Sequence, residues 1–220
     1  MIVKKSQDVE QPEGGSYPGT CCRVIDIGTQ RGSFKGEDTV RRQVILGFEL
    51  DEKNSEGKPF LVTAFFTASL HEKAKLRAVL ESWRGAPFTD VELEGFDLKK
   101  LMGHGALIVL TKGENKKAKI TGISKLPKGT RGPKLTYPEI YFSLDEFDQK
   151  VFDGLSDGLK KIIEKAPEYR AIKGGGGDDQ RHPVDDAGFP DDDDIPFGHQ
   201  FAGASGLGYR LPGLAGRTVL

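Results

Sequence analysis

Eight cations fall between residues 112 and 134 of this chain against one acid: Lys112, Lys116, Lys117, Lys119, Lys125, Lys128, Arg131 and Lys134, with Glu114 the exception. A local balance of +7 repels itself unless an anion lies close. A phosphate backbone suits that role, because each neutralised phosphate releases condensed counterions. The bland alternative is a solvated hairpin whose lysines blunt an edge strand. Further on, Asp191, Asp192, Asp193, Asp194, Ile195, Pro196 and Phe197 set four carboxylates ahead of an Ile-Pro-Phe terminus to the run. A basic pocket with an apolar floor can grip such a segment, pairing the carboxylates and enclosing the ring. Its bland alternative is a solubilising acidic tail.

Three arginines and one aromatic residue add to the anion-binding set. Arg23, Arg41 and Arg42 sit where strands are expected and could clamp phosphates. Phe65 stands among Thr63, Thr67 and Ser69 on the outward face of a strand, where it could stack on a base or pack beneath a later helical segment. Trp83, spaced with Leu76, Val79 and Leu80, reads as core, while Tyr137, Tyr141 and Phe142 fit either packing or stacking. Catalytic patterns are missing: there is no G-x-x-x-x-G-K-[ST], no strand leading into G-x-G-x-x-G, no H-E-x-x-H and no C-x-x-C. His71, His104, His182 and His199 are scattered, so the expectation is a non-enzyme with no cofactor and no specific metal site.

The elements that must carry these residues follow from periodicity and turn chemistry. Gly19 to Thr29 predicts a first strand, Arg31 to Asp38 a loop, and Arg42 to Asp51 a second strand. Glu52 to Lys58 predicts a hairpin connection into a third strand, Pro59 to Leu70. Val44, Leu46, Phe48 and Leu50, with Phe60, Val62, Ala64, Phe66 and Leu70, fall on the inner faces. A helix follows, capped by Ser69 with Glu72 as the capping-box partner and stopped by Gly85 and Pro87. Phe96 to Met102 predicts a short helical turn, and Ala106 to Thr111 and Lys117 to Ser124 predict two strands around a tip at Lys112 to Asn115. Three strands, a helix and a hairpin is the order of an OB-fold, a five-stranded barrel with its helix between the third and fourth strands; a split sandwich remains the rival. Asp145 to Lys165 predicts a helical region broken near Gly154 and Gly158 and ended by Pro167.

The expected fold class is therefore mainly β: residues 1–15 a flexible N-terminus, 16–126 the OB-fold domain, 127–172 a basic loop and helical extension packed on the barrel, and 173–220 a disordered Gly- and Asp-rich tail with a protein-interaction tip. The net charge of −1 conceals +4 on residues 1–173 and −5 on residues 174–220, the split expected when a body holds a polyanion. Adjacent Cys21 and Cys22 offer no disulfide framework, and no apolar run approaches about 18 residues, so a cytoplasmic protein with no membrane partner is expected.

The tip at Asp191 to Phe197 resembles the acidic tip of bacterial single-stranded DNA-binding proteins, in which the Phe is the last residue; here Gly198 to Leu220 follow it. Ser69-Leu70-His71-Glu72-Lys73, Leu80-Glu81-Ser82-Trp83-Arg84-Gly85 with Pro87-Phe88-Thr89, Gly95-Phe96-Asp97-Leu98, and Leu126-Pro127-Lys128-Gly129 with Tyr141-Phe142-Ser143-Leu144 resemble a family of phage-encoded single-stranded DNA-binding proteins over roughly residues 15–170. The resemblance implies an OB-fold that coats single-stranded DNA in phage replication or recombination, in the host cytoplasm, and calls in replication and recombination proteins through its tip. Self-association is left open. The alternatives are a protein-interaction adaptor and an annealing or recombination mediator that does not coat DNA strongly by itself.

Overall fold

A strand with apolar residues on both faces has to be covered twice, and the first strand is of this kind: Cys21 and Val24 point into one core, Ile25 and Ile27 into another. The computed structural model describes residues 10–34, 37–113 and 117–174. Its strands are β1 (Gly15–Phe34), β2 (Glu37–Lys53), β3 (Pro59–Thr67), β4 (Gly105–Lys112), β5 (Ala118–Ser124) and β6 (Ile140–Phe142). Its helices are α1 (Lys75–Arg84), α2 (Asp90–Glu94), α3 (Gln149–Asp153), α4 (Asp157–Ile163) and α5 (Pro167–Lys173), with a 3-10 turn at Leu98–Leu101. The expected tail, including Asp191 to Phe197, lies outside the described residues, as does Lys116.

The sheet runs β3-β2-β1-β4-β5, antiparallel throughout, and β6 adds to β1 in parallel at Arg23–Ile25. Two register shifts in β1, between Cys21 and Arg23 and between Asp26 and Gly28, bend the strand. Its edge then changes partner along its length. Gly15–Thr20 pair with β4, the Cys21 amide donates to the His104 carbonyl, the Gly103 amide donates to the Cys21 carbonyl, and Arg23–Ile25 pair with β6.

Instead of the expected closed five-stranded barrel there are six strands, and the ladder stays open between β3 and β5, which touch without pairing. Helix α1 lies against both strands and fills the opening with Leu76, Leu80 and Trp83. Trp83 meets Phe48 edge to face at 5.3 Å and donates its indole N–H to the Gly105 carbonyl at 2.7 Å. A side-chain layer closes the inner core where hydrogen bonds do not. The expected inner faces of β2 and β3 are found there, with Val44, Leu46, Phe48, Leu50, Val62 and Phe66 buried.

Four local expectations are corrected. Within the predicted loop Arg31–Asp38, Arg31–Phe34 and Glu37–Asp38 belong to the β1–β2 ladder, in which Arg31 opposes Val40 and Gly32 opposes Thr39; an in-register partner overrides the weak strand propensity of Gly and charged residues. Helix α1 begins at Lys75 behind Ala74, which has no side-chain acceptor to cap it, while the Ser69 hydroxyl accepts from the His71 amide in a local turn ahead of the helix. The capping box instead forms at Thr89 and Glu92, where each side chain accepts from the other's backbone amide. In the C-terminal region Gly154 does end α3, but Gly158 lies within α4, which Ser156 starts by accepting from the Leu159 amide. Pro167 opens α5 rather than ending a helix; at the first position its missing N–H costs nothing.

Helices α3–α5 and β6 form the second cover. Phe142, Leu144, Phe152, Leu155, Leu159, Ile163 and Ala166 bury Ile25, Ile27 and Ile45 on the face of the sheet away from α1. Phe152 stacks on Tyr169 at 5.0 Å, which ties α3 to α5. Each large apolar side chain sealed in this way contributes about 1.5–3 kcal/mol. Gly28 sets how closely the cover approaches. It follows the second register shift at φ +73°, and a Cβ there would lie 2.5 Å from the Cβ of Ala166 and 2.8 Å from a methyl of Leu144. Gly28→Ala therefore combines backbone strain with a clash, and a loss of at least about 2 kcal/mol is expected in urea unfolding. A loss under about 0.5 kcal/mol would show that the cover is not seated as described.

Candidate nucleic-acid interface

The β4–β5 hairpin presents the first group of cations. Ala118 and Ile120 are buried, so strand alternation turns Lys117 and Lys119 the other way. Lys112 pairs with Glu13 at 2.5 Å; both side chains are about half exposed or more, which makes the pair weak. The Gly113 amide closes the hairpin on the Lys117 carbonyl at 2.9 Å.

A second group lies on a strap, residues 125–137, that leaves the far end of β5. The Lys125 amide donates to the Ser82 carbonyl at the end of α1, and its aliphatic stem lies against Gly85. Lys128, Arg131 and Lys134 are exposed beyond it. None of the three has an ion-pair partner among the described residues. The strap then crosses the outer face of the sheet from β4 to β3. Gly132 packs so tightly over β4 and β1 that a Cβ would meet the Thr20 hydroxyl at 2.3 Å and the Gly105 Cα at 3.0 Å. The Thr20 hydroxyl donates to the Pro133 carbonyl at 2.7 Å. Glu49 of β2, opposite Thr20 in register, is fully buried and accepts from the Thr136 amide at 2.9 and 3.0 Å and from the Tyr137 amide at 2.9 Å. The Tyr137 hydroxyl reaches the Pro59 carbonyl of β3 at 3.2 Å.

Of the other sequence-derived candidates, Arg23, Arg42 and Phe65 are engaged elsewhere. Arg23 is 4% exposed on the same outer face, its stem in the space left by Gly47 opposite. Burial pulls its pKa down, opposed by Cys22 and by Tyr137 of the strap, so the guanidinium is covered by the chain itself. Arg42 grips Asp26 through Nε at 3.2 Å and Nη2 at 2.5 Å, and reaches Asp145 at 2.9 Å. Those bonds, the one to Asp26 foremost, raise its pKa above that of an ordinary arginine. Asp26 also accepts from the Gly28 and Leu144 amides, so Arg42 is part of a tie between β1, β2 and the segment after β6. Phe65 packs half-buried against the outer apolar cluster, which is the covered alternative of its two readings. Arg41 is exposed on the β1–β2 ribbon opposite Gln30.

Thus the outer face of β2 and β3, expected to be open, is occupied by the strap at one end and by α3–α5 at the other. Apart from Arg41, the exposed cations among these candidates sit on the hairpin and on the strap, at opposite ends of β5. Seven residues of strand separate the two groups by about 20 Å, the geometry of a track rather than of a pocket. Sequence reasoning missed Glu49 and Asp26. Asp26 carried a signal as the lone acid in the β1 pattern, whereas Glu49, with Asp51 two residues on, carried none. Among the described residues no three His, Cys, Asp or Glu side chains converge to hold a metal ion, and no helix is long and apolar enough to cross a membrane. No protein-family model and no curated protein matches the chain.

The two adjacent arginines should separate in a stability assay. Arg42→Ala strands the partly buried Asp26 carboxylate and is expected to cost about 1–2 kcal/mol in urea unfolding, the partial exposure of the pair holding the loss below that of a buried one. Arg41→Ala should stay within about 0.5 kcal/mol. Equal losses would contradict the assignment of Arg42 to the Asp26 tie.

Proposed function

We propose that this protein binds single-stranded DNA without regard to sequence, in phage replication or recombination in the host cytoplasm, and recruits partner proteins through Asp191 to Phe197. The observation that carries the proposal is the strap: three exposed cations with no ion-pair partner among the described residues, on a loop tied down at both ends. Non-specific binding of a single strand asks for such a cationic track with no base-edge readout. The strand order supports an OB-type module, since β1 is shared between β2 and β4 and the helix between β3 and β4 plugs the unpaired end. The motif resemblance points the same way. The interface differs from the usual one in the proposal: the DNA runs over the strap and the β4–β5 hairpin instead of against the bare outer face of β2 and β3. Phe65 and Arg23 then act beneath it as structure.

Fluorescence titration with oligo-dT at several salt concentrations tests the reading. Wild-type affinity should fall steeply with salt, and the Lys128→Glu, Arg131→Glu double variant should flatten the log–log slope by about 0.7 for each phosphate that is no longer neutralised. Salt-insensitive or absent binding would move the protein to the adaptor class. Titrating complementary strands in the same assay separates coating from annealing.

The tail adds a second expectation, because eight Asp residues in 174–220 can compete with DNA for the same cations. Deleting residues 174–220 should tighten oligo-dT binding at low salt and leave it nearly unchanged at high salt, where the competition is screened. Unchanged affinity at low salt would show that the tail does not contest the interface.

A further inference from the structure

An acid beside a polyanion track works against binding if it is exposed, yet Glu49 lies on the strap-bearing face of β2. It is the fully buried carboxylate of the described residues, and its two oxygens are occupied by the amides of Thr136 and Tyr137. Charge-assisted bonds from backbone N–H groups to an ionised carboxylate are stronger than neutral ones, and they leave no lone negative charge facing solvent. The strap has few other means of holding a shape. Between β5 and β6 it forms no strand or helix, and its Pro and Gly residues offer little apolar surface to bury. Its remaining fixtures are the Thr20 hydroxyl on Pro133, the close seat of Gly132 and the Tyr137 hydroxyl on Pro59. These lie within residues 132–137, on the C-terminal side of Lys128 and Arg131, while the N-terminal side is held by the Lys125 amide on the Ser82 carbonyl.

We propose that Glu49 is the positioning residue of the single-stranded DNA interface: its carboxylate anchors the strap through the Thr136 and Tyr137 amides, so that Lys128, Arg131 and Lys134 are presented in one fixed arrangement. The inference rests on the single-stranded DNA reading and deepens it by naming what pre-organises the site. A loop held in its binding conformation loses less entropy when the ligand arrives. The sign of the effect separates this from simple electrostatics. Removing one negative charge near a polyanion should raise affinity, whereas releasing the strap should lower it.

The test uses the full chain with Glu49→Gln and Glu49→Ala, titrated with oligo-dT at two salt concentrations, together with amide hydrogen exchange of the strap. Both variants are expected to lose exchange protection at Thr136 and Tyr137 and to bind oligo-dT about tenfold more weakly, the equivalent of removing one charge-assisted bond from the anchor. The salt slope should shrink as the cations cease to act together. Thr20→Val, which removes the neighbouring strap bond with little change of shape, should move affinity and protection in the same direction by a smaller factor. It keeps the test open if the Glu49 variants do not fold. Affinity that is unchanged or raised while the strap amides lose protection would overturn the proposal, and so would protection that survives the substitution. If wild-type protein shows no salt-sensitive binding, the DNA reading itself fails and the positioning role falls with it. The exchange data then still report whether Glu49 holds the strap.

Discussion

The structure depends on the need to cover β1 and β2 on both faces. Their inner face is sealed by β3, β4, β5 and α1, as an ordinary small β domain would be. Their outer face carries Ile25, Ile27 and Ile45, which cannot be left in water without forfeiting the free energy that fixes the fold. Residues 126–173 therefore have to return across the sheet. The return path brings β6 beside β1, α3–α5 over the apolar row and the cationic strap over the remainder. The double bulge in β1 makes room for this, and Gly28 marks the closest approach. The placement of the candidate interface is thus a by-product of how an apolar surface is hidden.

The same constraint decides which charges are left for binding. A cation beneath the cover must be held there, and Arg42 is held by Asp26 and Asp145 while Arg23 lies in the space that Gly47 provides. Cations outside the cover keep their charge for a ligand, among them Lys128, Arg131 and Lys134 of the strap. Identical residue types separate into structural and ligand-facing sets according to which side of one peptide layer they fall on. Composition alone cannot make that separation.

Local patterns made much of this legible in the sequence. Alternation in β2 and β3 gave the inner face, the spacing of Leu76, Leu80 and Trp83 gave α1, and Gly113 with its neighbours gave the β4–β5 hairpin. Features set by interactions between distant residues were not legible. The β1–β2 ladder through Gly32 and Ser33 depends on a partner strand in register. Helix α1 starts behind Ala74, a residue with no capping side chain to announce it, and Pro167 reads equally well as a stop or as a first helical residue. The site was legible as a density of charge and not as an arrangement. Of the eight cations on paper, the seven among the described residues became two groups at opposite ends of β5, and the acid that anchors one group sits more than 80 positions away from it.

The two halves of the outer face explain why its two covers differ in kind. Ile25, Ile27, Ile45 and Phe65 present hydrocarbon, and helices with apolar sides answer them. Thr20, Arg23, Glu49 and Thr63 present buried polar groups, which an apolar helix would leave unsatisfied at a cost of about 1–3 kcal/mol apiece. A segment of irregular backbone supplies partners for Thr20 and Glu49, because amides and carbonyls not committed to a ladder are free to bond downward. Thr136, Tyr137 and Pro133 do so. Once its polar backbone is turned toward the sheet, such a segment can direct its side chains to solvent. A cationic loop is then a natural occupant, since lysine and arginine are the residues least willing to be buried beneath it. The polar seat and the basic strap are in this sense one feature: the first selects a backbone-bonded cover, and the second is what that cover shows to the solvent.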